Sequence, residues 1–155
     1  MSRDRRDSQT LDLLNWRPAP VAVTYAGEEA LDVRGATISA RFAKAISKTL
    51  RECEKDRATI AKEISDYLGE AVTKTMLDAY ASEARDSHNI NLPRFAALVH
   101  VTGDNRLLSL LPEMFGFAVV DEKYTSIIEL HLIEEHERDV AKRKASLQGQ
   151  WSRSR

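Results

Sequence analysis

Residues 56–84 constrain this chain more than any other stretch. Apolar side chains recur there at Ile60, Ala61, Ile64, Tyr67 and Leu68, one face of a helix with a period of about 3.6 residues. A second set, Met76, Leu77, Tyr80, Ala81 and Ala84, marks one face of another helix. Between them Gly69 can take the left-handed conformation that ends a helix, and Thr73 can cap the next one with its hydroxyl. Two short amphipathic helices joined by a tight glycine turn make a helix-turn-helix pattern; an ordinary helical hairpin inside an all-α domain has the same spacing. In a DNA-binding version the second helix enters the major groove. With Met76, Leu77, Tyr80 and Ala81 inward, its outward set is Lys74, Thr75, Asp78, Ala79 and Ser82, mostly short and polar enough to approach base edges.

The rest of the composition sets bounds. A chain of 155 residues is one ordinary domain with tails, long enough to bury a core. Hydrophobic content of 43% and charged content of 30% fit a globular domain in water. Net charge is -1, so any affinity for nucleic acid must come from local charge. Aromatic content of 6% excludes a platform that stacks many bases or sugars. The single cysteine, Cys53, rules out an internal disulfide and a cysteine-based zinc site, and its spacing from Ile46 and Leu50 places it against the core. The N-terminus lacks the apolar segment of a signal peptide and no apolar run spans a bilayer. A cytoplasmic protein with no membrane partner is expected.

Along the chain, residues 1–36 read as an irregular N-terminal arm. It carries Leu11, Leu13, Leu14 and Trp16, then the break Arg17-Pro18-Ala19-Pro20, then Val21, Val23 and Tyr25 alternating with small residues. Residues 37–112 read as a five-helix domain. Its first helix, residues 37–55, buries Ile38, Phe42, Ala45, Ile46, Leu50 and Cys53 and turns Arg41, Lys44, Lys48, Arg51 and Lys55 to solvent or to a phosphate backbone. Asp56 caps the next helix; Asn91, with Pro93 in the first turn, opens a later one that ends at Gly103. Asp104 caps a short last helix closed by Pro112.

Residues 113–155 read as a connector and a long C-terminal helix. The apolar run at 113–120 suits a short strand against the arm or a second copy. The long helix, from about Asp121 to Gln148, is acidic early and basic late, in keeping with the helix dipole. That gradient also permits antiparallel pairing of two copies. Its apolar set, Ile127, Leu130, Ile133, Val140 and Leu147, is interrupted by Glu137 and Lys144, too broken for a coiled coil on pattern alone. The basic end suits equally a nucleic-acid-contacting tail and a solvated terminus.

Five helices with the helix-turn-helix at the second and third resemble the lambda-repressor-type DNA-binding domain common in phage and prophage regulators. Ile60-Ala61 is similar to that motif's opening pair, Leu68-Gly69 to its turn, Val72-Thr73 to its cap, and Leu77 and Tyr80 to its isoleucine and tryptophan. Leu92 to Leu98 with Thr102-Gly103 resembles the family's fourth helix and Leu107 to Leu111 its fifth, so about half the chain is covered. The sequence departs from the family in a longer first motif helix, in the extra Glu70-Ala71, and in Ala81 and Glu83 where glutamate and glycine are common. Residues 57–85 also hold five acidic side chains (Glu63, Asp66, Glu70, Asp78, Glu83) against four basic ones.

The resemblance implies an all-α, sequence-specific transcriptional regulator that binds double-stranded DNA as a homodimer. Thr73, Lys74, Thr75, Asp78 and Ser82 would touch bases, and Arg57, Lys62 and Arg85 would contact the backbone. The alternative is a protein-interaction module that keeps the fold without the DNA surface. No catalytic constellation, cofactor motif, metal set or small-molecule substrate site is evident: His131 and Glu135 share a helix face, but not at the spacing of a His-Glu-x-x-His metal helix.

Overall fold

The computed structural model describes residues 21–84 and 88–153. Among these the chain is predominantly α-helical. A short strand β1 (Ala22–Val23) leads to α1 (Glu28–Asp32), α2 (Ile38–Glu52), α3 (Arg57–Leu68), α4 (Lys74–Tyr80) and α5 (Leu92–Thr102). A 3-10 helix, Asn105–Ser109, runs into α6 (Leu110–Glu113), followed by β2 (Val119–Val120), a 3-10 turn at Glu122–Tyr124 and α7 (Thr125–Arg153).

Local side-chain chemistry starts and stops these helices. Thr37, Asp56, Thr73 and Asn91 each accept a hydrogen bond from a backbone N–H in the first turn that follows, at 3.1, 2.9, 3.3 and 3.0 Å. Gly69 and Gly103 end α3 and α5 at φ 68° and 69°, a left-handed conformation that costs glycine nothing.

The core is where the amphipathic faces meet. Ile46 from α2, Ile60 and Ile64 from α3, Leu77 from α4, Leu98 from α5, and Leu107 and Leu110 are almost wholly withdrawn from solvent. Burying each such side chain stabilises the fold by roughly 1.5–3 kcal/mol. Helix α3 lies against both α4 and α5, so the helix pair is held from one side by α5.

Several expectations are corrected. Helix α2 ends at Glu52, and Cys53 is already extended. Lys48, expected on the solvated face, is buried: its ammonium sits 2.9 Å from both Asp32 and Glu52. Tyr67, expected inward, is 56% exposed and stacks on His100 with ring centroids 4.5 Å apart. Pro112 does not close the last helix but sits inside α6, in a first turn where a proline removes no intrahelical hydrogen bond. The region expected as an irregular arm supplies Tyr25 and Val33 to the core and forms β1 and α1. Strand β1 pairs antiparallel with β2, Ala22 opposite Val120 and Val23 opposite Val119, so the connector does meet the N-terminal region. The Leu-Trp cluster at 11–16 lies outside the described residues.

Helix α7 stands apart from this packing. It is 29 residues long, about 44 Å at 1.5 Å per residue, and buries none of its residues. No helix among the described residues is long and apolar enough to cross a membrane.

Candidate nucleic-acid interface

The connection from α3 to α4 is built by one hydroxyl. Ser65 on α3 accepts from the Val72 N–H at 2.8 Å and lies 2.8 and 3.0 Å from the carbonyls of Ala61 and Val72. Val72 itself is buried, so the turn is fastened to the first helix before Thr73 opens the second. The sequence reading missed Ser65, because a serine inside a helix carries no signal of a bond seven residues onward.

Helix α4 is short, and only its first turn is presented to solvent. Lys74 and Thr75 are exposed there. Thr73 is exposed too, with its hydroxyl engaged as the cap. Asp78, one turn later, is half-buried and ion-paired with Arg57 at the start of α3. Ala79, expected outward, is buried, because α4 is covered on more than one side by α2 and α3. Ser82 lies beyond the end of α4, half-buried, with its N–H bonded to the Ala79 carbonyl at 3.3 Å. Lys62 is exposed on α3; Arg85 lies outside the described residues. The structure therefore groups Thr73, Lys74 and Thr75, sets Arg57 and Asp78 against each other, and leaves Ser82 off the helix.

The charges around this surface are largely paired. Lys55 meets Glu63 at 2.6 Å, Arg94 meets Glu70 at 2.8 Å and also donates to the Tyr80 hydroxyl at 2.7 Å, and Lys44 approaches Glu83 at 3.7 Å. Lys62 and Lys74 form no ion pair among the described residues. The Asp56 carboxyl is held below its ordinary range first by hydrogen bonds from Thr59 and then by the nearby Lys74 charge.

A second polar centre lies away from α4. Arg106 donates to Asp104 at 2.9 Å, Glu52 at 2.6 Å and Glu29 at 3.1 Å, with its guanidinium 5.1 Å from the centre of the Tyr25 ring. Burial would raise the Asp104 carboxyl, but bonds from Arg106 and from the Thr49 hydroxyl at 2.7 Å outweigh it and hold the group low. Glu52 is likewise lowered, by Arg106 and then Lys48. Burial pushes the Tyr25 phenol up to about 12. Carboxylates from Glu29, Glu52 and Asp104 thus meet on one guanidinium, a clamp joining α1, α2 and the 3-10 helix.

Next to α4 an apolar groove of about 550 Å³ opens between α2, α5 and α6. Ile38, Phe42, Leu92, Phe95, Leu108 and Leu111 line it, and Leu92 is 78% exposed. Comparison with family models, characterised proteins and solved structures gives no match for this chain.

Proposed function

We propose that this protein is a sequence-specific DNA-binding regulator whose helix-turn-helix, α3 and α4, belongs to a lambda-repressor-type domain and enters the major groove. It acts as a homodimer on paired half-sites. The observation that carries this reading is the first turn of α4: Lys74 and Thr75 project from a short capped helix whose Leu77, Ala79 and Tyr80 are fixed in the core. Side chains at the N-terminal end of the second helix are those that reach bases in this mode of docking. Thr73, Lys74 and Thr75 are assigned to the bases, and Lys62 to the backbone. Arg57 joins them on release from Asp78, because a phosphate competes for the same guanidinium.

The test is binding of a labelled duplex followed by anisotropy across a salt series. A steep fall in affinity with salt supports the reading, since each neutralised phosphate adds to the slope. A salt-independent or absent signal contradicts it.

A second reading, a protein-interaction module, is favoured by one observation, the apolar groove flanked by exposed Leu92 and Leu111. In that case Leu92→Asp abolishes partner capture, and the intact protein binds no duplex even at low salt.

A further inference from the structure

Helix α7 exposes Leu130, Ile133, Val140 and Leu147 at spacings of three and seven, with Glu137 and Lys144 at the two intervening positions of the same seam. None of these residues is buried by the rest of the chain. An isolated helix of this kind, with an exposed apolar seam broken only at Glu137 and Lys144, gains most of its stability from a partner. We propose that α7 pairs antiparallel with α7 of a second copy of this chain, as a two-helix coiled coil.

Charge selects the orientation. Residues 125–137 carry Glu129, Glu134, Glu135 and Glu137 and no lysine or arginine. Residues 138–153 carry Arg138, Lys142, Arg143, Lys144 and Arg153 against Asp139 alone. The two halves are thus -4 and +4, from four acids, and from five bases less one acid. The helix dipole accounts for this only at the two ends, because its effect fades within the first and last turns whereas Glu134, Glu135 and Glu137 lie mid-helix. Parallel pairing would set acid on acid; antiparallel pairing sets each acidic half on a basic one.

The same orientation accommodates the two interruptions of the seam. With Leu130 against the partner's Leu147, Ile133 meets the aliphatic stem of the partner's Lys144. Glu137 then lies about one turn from that ammonium. A pair of polar seam positions that answer each other fixes register at some cost in stability. In this register Thr125 faces the partner's Ser152, so the two Thr125 residues stand about 40 Å apart along the pair. The two globular parts therefore leave from opposite ends. Only the further consequence, half-sites spaced on the order of one DNA turn or more, rests on the DNA-binding reading; the pairing itself does not.

The experiment uses full-length protein without DNA, in a Cys53→Ser background checked for unchanged helical signal. Sedimentation gives the stoichiometry, and a short bis-maleimide linker tests orientation with Ser126→Cys and Trp151→Cys, which this register sets opposite each other. A dimer is expected in which Ser126→Cys links to Trp151→Cys and neither links to itself. Glu137→Lys should weaken the dimer roughly tenfold, and adding Lys144→Glu should restore it. A monomer at every concentration, self-linking of Ser126→Cys, or no rescue by the second change overturns the proposal.

Discussion

Arg57, the first residue of α3, donates to the carboxylate of Asp78 on α4, so the two helices of the pair are tied by side chains that a DNA backbone would have to separate. The two side chains are 35% and 40% exposed, and such a bridge adds at most about 1 kcal/mol to stability. Its larger effect is on charge, because Asp78 cancels a guanidinium beside the proposed docking surface. Asp78→Asn should therefore leave the thermal midpoint nearly unchanged while tightening duplex binding several-fold and steepening the salt slope by about one. Titrations of a labelled duplex at several salt concentrations measure both. Unchanged affinity and slope would place Arg57 away from the phosphates.

The turn makes a separate prediction. Gly69 holds φ 68°, and a Cβ added there would meet nothing within 4 Å. Gly69→Ala thus isolates backbone strain from steric clash, and should cost about 1 kcal/mol in denaturant unfolding with little change in the slope. A cost near that of a core truncation, on the order of 2–5 kcal/mol, would mean the turn relies on contacts beyond its dihedral angles.

Acid stability should follow the Arg106 clamp. Asp104 and Glu52 titrate below their ordinary range in the folded chain, so the unfolded chain takes up protons first as pH falls. Their contribution is complete above the ordinary carboxylate range, about pH 4, and is lost as pH drops through the folded values. Arg106→Ala should cost roughly 2 kcal/mol near neutrality, because it leaves the Asp104 side chain, 11% exposed, without its cation. The gap between wild type and variant should close as pH approaches 2, in thermal melts run across that range. A gap that stays constant with pH would assign the loss to the Tyr25 contact instead.

These residues also mark how far the sequence could be read. The caps at Asp56, Thr73 and Asn91 and the stops at Gly69 and Gly103 were legible because each works within one helical turn. Lys48 was misread because periodicity assigns every charge to solvent, and only the fold brings Asp32 from α1 beside it. Arg106 was silent for the same reason, with Glu29 lying 77 residues away in sequence. The α4 surface was legible where it depends on the first turn, Lys74 and Thr75. It was misjudged at Ala79 and Ser82, where helix length and the packing of neighbouring helices decide exposure.

Selection of bound fragments from random duplex DNA asks whether α4 reads DNA sequence. The intact protein is compared with a Lys74→Glu, Thr75→Glu double variant, whose altered positions are exposed and should leave unfolding unaffected. The intact protein should enrich a defined motif and the double variant none. Enrichment of the same motif by both proteins, or no binding by the intact protein at low salt, would contradict sequence-specific docking through α4.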